Sequence, residues 1–276
     1  MADRALVEAL PFAAWIILVT LAFGSFLFMV IARHWARPTI GYMRFSSVFA
    51  AALAGLALLT DNDLTPGPAL AITPAPPELD ALRLAGVAAF GVLALVDAFV
   101  VRRPRASIVV GAATLVAAGV ALGAAAFGWA PSSVDAVPFL VQLCVLTAVT
   151  GGSVAAVVLS HWYLVTPKLP EAPLILQSRL LIATLVLQIL LFIVWTTLGG
   201  GPGQVAFSAF NDSLLLVIMR LVITLIFPLV LCYMALRTAQ TRSMESATGL
   251  LYINLAAVMA GTIGAAALYV SSGLLV

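Results

Sequence analysis

The 276-residue chain is 63% hydrophobic and only 9% charged, with a mean hydropathy of +1.18. A soluble domain carries roughly 45–50% apolar and about 25% charged residues, so a water-facing globule and a disordered or coiled-coil chain are excluded. The net charge of +2, from 13 basic and 11 acidic residues, leaves no basic stripe for nucleic acid, and the composition selects the lipid bilayer as the partner.

About 30 Å of hydrocarbon is crossed by about 20 apolar residues in helix. The opening segment MADRALVEAL sets Asp3 and Glu8 beside Arg4, the wrong charge for a secretory leader, so the first apolar run reads as a retained helix. Spans are predicted at about 12–32, 43–60, 82–101, 107–130, 138–165, 173–199, 212–236 and 245–272. Between the second and third, DNDLTPGPALAITPAPPELD (61–80) is Pro-rich and reads as extended, and GGGPGQVAFSAF (199–210) reads as a Gly-rich loop. SHWYLVTPKLPEAP (160–173) reads as a helix entering a Pro-punctuated turn, its aromatic pair suited to docking on lipid or a partner. Pro228 falls within the seventh span, where it is expected to kink the helix. Alternating strand patterning is absent. The expected fold is an all-α integral membrane protein with eight transmembrane helices.

The charges orient it. Loops after the odd-numbered spans hold Arg33, Arg37, Arg44, Arg102, Arg103, Arg105, Lys168, Arg237 and Arg242, with Arg179 just inside the same face. The opposite face holds Asp3, Glu8, Asp61, Asp63, Glu78, Asp80, Asp135 and Asp212, but only Arg4 and Arg83. By the positive-inside rule the basic face is cytoplasmic and both termini are extracytoplasmic, in a multi-pass protein of the plasma (inner) membrane.

Span one contains Thr20, Gly24, His34 and Trp35, and span five contains Thr147, Gly151, His161 and Trp162, the same T-x3-G-x9-H-W spacing offset by 127 residues. Spans four and eight share an AAG…GAAA pattern at Ala117–Ala126 and Ala260–Ala267. Two parallel four-helix halves, 1–130 and 131–276, are the expected plan. Gly119 and Gly123 form a G-x-x-x-G, an assembly signal in membranes.

Few side chains carry chemistry. His34 and His161, the only histidines, fall at equivalent positions at the basic-face ends of spans one and five. Interfacial anchoring accounts for both; contact with a quinone or lipid head group, and haem b ligation with one histidine from each half, are the alternatives. Arg220 lies roughly 12 Å in from Asp212 at 1.5 Å per residue, and Gln188 and Gln142 fall in the same outer third. An arginine and two amides at one depth suit a quinone carbonyl, whereas an arginine snorkelling to phosphate is the simpler account. Asp97, near the basic face, is expected to pair with Arg102, Arg103 or Arg179, or to serve a proton path. Asn254, Tyr252 and Gln177 add polarity to that inner third. Cys144 and Cys232 stand singly in apolar runs and read as small hydrophobes, with no spacing for an iron–sulfur cluster or zinc. The one lysine, Lys168, lies in a loop, which excludes retinal attachment.

Two stretches resemble a known group. EALPFAAWIILVTLAFGSFLF (8–28) is similar to the first helix of the membrane anchors of polysulfide and dimethyl sulfoxide reductases, the NrfD/DmsC group, and LLYINLAAVMAGTIG (250–264) is loosely similar to their last. The resemblance implies a quinone-interacting anchor with partner subunits in a redox complex, although the acidic group that several members carry in the last helix has no counterpart after Glu245. A structural or lipid-binding subunit without redox chemistry is the second reading, and a small secondary transporter the third.

Overall fold

The computed structural model describes residues 2–166 and 168–275, with their side chains except at 2–6, 62, 208, 211–213 and 216. Among them run nine α-helices and no strand: α1 (Ala2–Trp35), α2 (Ile40–Thr60), α3 (Pro77–Val100), α4 (Pro104–Trp129), α5 (Ser133–Val165), α6 (Ala172–Leu198), α7 (Ser208–Leu221), α8 (Phe227–Gln240) and α9 (Met244–Ser272). A single π-helical turn, Val222–Ile226, joins α7 to α8, so eight helical segments are long and apolar enough to cross a membrane. The protein is an all-α, eight-span membrane protein.

The punctuation follows from side-chain chemistry. Thr39 and Ser132 cap α2 and α5 by accepting the N–H of Tyr42 at 3.4 Å and of Asp135 at 3.2 Å. Proline, whose missing N–H costs nothing in a first turn, opens α3, α4 and α6. Gly199 and Gly273, at φ 74° and 75°, end α6 and α9 in the left-handed conformation that spares a glycine the Cβ clash. The Pro-rich stretch begins as a 3₁₀ turn at Asp61–Asp63. It is then tied down by its own backbone, Ala71 N–H donating to Val270 O and Thr73 N–H to Trp129 O, both at 2.9 Å.

In a bilayer the outside is apolar and the polar groups must be satisfied inside. Phe99, Val116 and Leu215 are exposed, whereas Asp97, Gln188 and Asn254 are fully buried. α5 and α1 form the centre: 83% and 67% of their spans are buried, against 28% for α3 and α6. At the crossing of α1 and α5 a Cβ on Gly24 would run into the Thr147 carbonyl, and one on Gly151 into the backbone of Gly24 and Ser25. Hydrogen bonds bind the other helices to this pair. Thr150 and Thr262 share one at 2.6 Å, and Asn254 donates to Ser153 Oγ at 3.1 Å while accepting from the Cys232 thiol at 3.1 Å. Gln177 donates to Tyr42 Oη at 2.7 Å, and Tyr42 donates to the Ala155 carbonyl at 3.4 Å.

Successive helices pack on one another along both parts of the chain, although α5 also packs closely on α9 where α1 barely meets α4. α1 packs on α2, α2 on α3 and α3 on α4, as α5 packs on α6, α6 on α8 and α8 on α9; α1 also reaches α9, and α5 reaches α4. Gly24 and Gly151, which hold the same place in the T-x3-G-x9-H-W spacing, touch each other. The same offset relates Pro11–Phe12 to Pro138–Phe139. Phe12 meets Trp129 at the end of α4 (5.3 Å between centroids), and Phe139 stacks on Tyr269 near the end of α9 (3.8 Å).

On the acidic face Arg83 is buried. Its Nη2 and Nε donate to the two carboxylate oxygens of Asp61 at 3.0 and 3.1 Å, Asp80 is a second partner, and the guanidinium lies 5.8 and 5.2 Å from the rings of Trp15 and Trp129. Pro228 stands at the start of α8, where the π turn immediately before it absorbs the missing donor. The Gly119–Gly123 pair faces outwards, since a Cβ at either position meets nothing within 4 Å.

Gly24→Val therefore forces the central helices apart, at the upper end of the about 1–3 kcal/mol typical of overpacking. Thermal unfolding in detergent will show a marked loss for this variant and little change for Gly119→Ala.

Candidate functional site

A charge inside a span survives where the protein supplies its surroundings. Arg220 ends α7 and is 6% exposed. Its Nη1 donates to Thr224 Oγ1 at 2.8 Å, and that hydroxyl donates in turn to the Arg220 carbonyl at 2.7 Å. Thr224 belongs to the π turn, a distortion that recurs at functional sites. Across from it, α9 presents Gly261, where a Cβ would collide with the Arg220 guanidinium and Thr224. The result is a groove of about 210 Å³ with Arg220 and Thr224 at its polar end and Met219, Ile223, Gly264 and Leu268 along its walls. Met219 and Ile223 are 44% and 45% exposed, so the groove opens to lipid.

The amides at the same depth have found each other. Gln188 Nε2 donates to Gln142 Oε1 at 3.4 Å, and Trp195 Nε1 donates to the same oxygen at 3.2 Å, tying α6 to α5. The cavity beside Gln142, about 10 Å³, has room for a single water and not for a ring. Tyr269, whose buried hydroxyl has no hydrogen-bond partner among the described residues, lines it too. Neither amide lines the Arg220 groove. The two places use different faces of α9, the groove taking Gly261, Gly264 and Leu268 and the amide cavity Ala265, Ala266 and Tyr269. Equal depth thus joins the two glutamines but sets Arg220 apart.

Asp97 has a different partner from those its neighbours in sequence suggest. Arg102, Arg103 and Arg179 are exposed. Arg33 of α1 grips the carboxylate with both terminal nitrogens, Nη2 to Oδ2 at 2.7 Å and Nη1 to Oδ1 at 2.9 Å. Ser47 Oγ of α2 donates to Oδ2 at 2.9 Å and Ser107 Oγ of α4 to Oδ1 at 3.3 Å. A fully buried carboxylate with four donors is a clamp joining the four helices of the first half. Sequence reading missed Arg33 because it counted that residue among the loop charges.

His34 and His161 both lie exposed at the basic-face ends of α1 and α5. His34 sets Nδ1 2.9 Å from its own Val30 carbonyl and lines a cavity shared with Arg33, Arg37 and Ser107, to which His161 does not contribute. Trp35 is 74% exposed, as in an interfacial belt, whereas Trp162 packs its ring over Gly41. Thr224, Gly261, Trp195 and Tyr269 complete these sites. Of these, Gly261 falls within the Ala260–Ala267 pattern and Thr224 stands one turn after Arg220, whereas nothing in the sequence marks Trp195 or Tyr269.

No family model, curated protein or solved structure matches the chain. Fold and sites define a polytopic membrane protein with a lipid-facing groove ending in a buried arginine.

Removing one member of a buried ion pair costs about 3–5 kcal/mol, because its partner is left charged and uncompensated. Asp97→Leu is accordingly strongly destabilised in detergent, and the double variant Arg33→Met/Asp97→Leu recovers much of the loss; equal losses in the two would disprove the clamp.

Proposed function

We propose that the protein is a quinone-interacting anchor subunit of a multisubunit redox complex in the plasma (inner) membrane, akin to the NrfD/DmsC group, with its basic face cytoplasmic and cofactor-bearing partners on the other side. The observation that carries this reading is the Arg220 groove. A quinone presents a flat ring with carbonyl acceptors at one end of a long apolar tail, and the groove offers a guanidinium and a hydroxyl at the end of an apolar slot. At about 210 Å³ it lies below the roughly 300 Å³ at which pockets enclose a whole ligand, so it suits a head group whose tail stays in the bilayer. Arg220 would orient the ring by a charge-assisted hydrogen bond, and Gly261 keeps the approach to it clear. The redox chemistry belongs to the quinone and to a partner; this chain binds, orients and excludes water.

The groove's opening to lipid also supports the second reading, a lipid-binding subunit whose arginine holds a phosphate. The transporter reading is weaker. Carriers break their helices at matching places in the two halves, yet the π turn in the seventh span has no counterpart in α3, which is a continuous helix.

The test is to purify the protein from its native membrane in mild detergent and quantify extractable quinone and phospholipid per chain. Arg220→Leu removes the polar end. Gly264→Leu fills the groove at a position where a Cβ meets nothing within 4 Å, so it leaves the packing intact. Both are expected to lower bound quinone, Arg220→Leu by about tenfold, the value of one charged hydrogen bond. Wild-type protein that carries phospholipid but no quinone, or quinone unaffected by both changes, would refute the proposal.

A further inference from the structure

Between α1, α2 and the start of α4 the basic face opens into a cavity of about 410 Å³. Arg33, His34, Arg37 and Ser107 supply its polar lining, with Met43 and Ile108 among its apolar walls, and no carboxylate lines it. Asp97 lies fully buried behind the cavity and compensates Arg33, while Arg37 has no acidic partner among the described residues. The buried Nε of Arg33 has no partner among the described residues. With Nδ1 of His34 held by Val30 O, Nε2 is the nitrogen left for a ligand.

Two further features point the same way. Arg37 adopts φ 48°, and its N–H closes the end of α1 on Ala32 O at 2.9 Å, a place glycine normally fills. A non-glycine residue there bears roughly 1–3 kcal/mol of strain, here with a guanidinium at the cavity mouth as the outcome. The N-terminus of α4, with its partial positive charge, also lies at the cavity through Pro104 and Ser107, and Arg102, Arg103 and Arg105 stand exposed on the same turn.

We propose that this cavity binds the phosphate of an anionic phospholipid, held by Arg37 and His34 with Arg33 at its floor and one acyl chain laid along α4. The exposed Ile108, Val109 and Val116 continue from the cavity along the lipid-facing side of that helix. The corresponding place in the second half provides a contrast. There a cavity of about 580 Å³ lined by Tyr163, Arg242 and Glu245 has its arginine 3.5 Å from Glu171, so a carboxylate pairs with the cation and a second one faces the opening. Phosphate selects the first cavity alone.

Native mass spectrometry of the detergent-solubilised protein, incubated with phosphatidylglycerol, phosphatidylcholine or inorganic phosphate, tests this. Wild type is expected to retain phosphatidylglycerol over phosphatidylcholine, and Arg37→Gln/His34→Gln to lose about tenfold in that retention. Both side chains are exposed, so lipid-free thermal unfolding stays unchanged, and Arg37→Lys keeps most of the binding. Equal retention of the two lipids, no loss in the double variant, or displacement of the lipid by millimolar inorganic phosphate would overturn the assignment, the last by making a soluble anion the occupant.

Discussion

A bilayer gives helices no hydrophobic reward for meeting, because lipid tails are as apolar as leucine; association depends on close packing and on polar groups finding partners. The contact of Gly24 with Gly151 supplies the first of these at the centre of the molecule. Two backbones touch there, and the remaining spans are arranged around the pair. A side chain at either glycine would separate α1 from α5 and shift every helix that leans on them.

Polar side chains supply the second. On the basic face the Arg33–Asp97 clamp gathers α1, α2, α3 and α4, and on the acidic face Arg83 ties the start of α3 to Asp61, Trp15 and Trp129. The second half has no such ion pair among its described buried residues and is held by neutral bonds through Thr262, Asn254 and Gln177. The groove at Arg220 lies in the second half, while the first half carries its cavity at the basic end.

The sequence yields depth far better than rotation. Runs of about twenty apolar residues place all eight spans, and counting along them brings Gln142 and Gln188 to one level, where they bond. Counting also puts Arg220 at that level, but a helix turns 100° per residue, and which neighbour each face meets depends on crossings that no single span encodes. Asp97 illustrates the same gap: Arg102 and Arg103 are near in sequence, yet Arg33, 64 residues away, holds the carboxylate. The T-x3-G-x9-H-W spacing was visible as a repeat of letters, but that its two glycines are in contact emerges only when α1 and α5 are packed side by side.

The π turn sets the aim of everything after it. Twelve residues separate Arg220 from Cys232, and in an unbroken α-helix they would point about 120° apart. A π turn accommodates one residue beyond the regular count, and taking up that residue's 100° brings the two within about 20°. Arg220 and Cys232 accordingly both address α9, the one beside Gly261 and the other on Asn254. In the geometry of the span the turn acts as a one-residue insertion: the same sequence wound as an unbroken α-helix would turn its lower half about 100° away from the partner it now holds, whereas a sequence one residue shorter there would form the smoother helix and keep that facing.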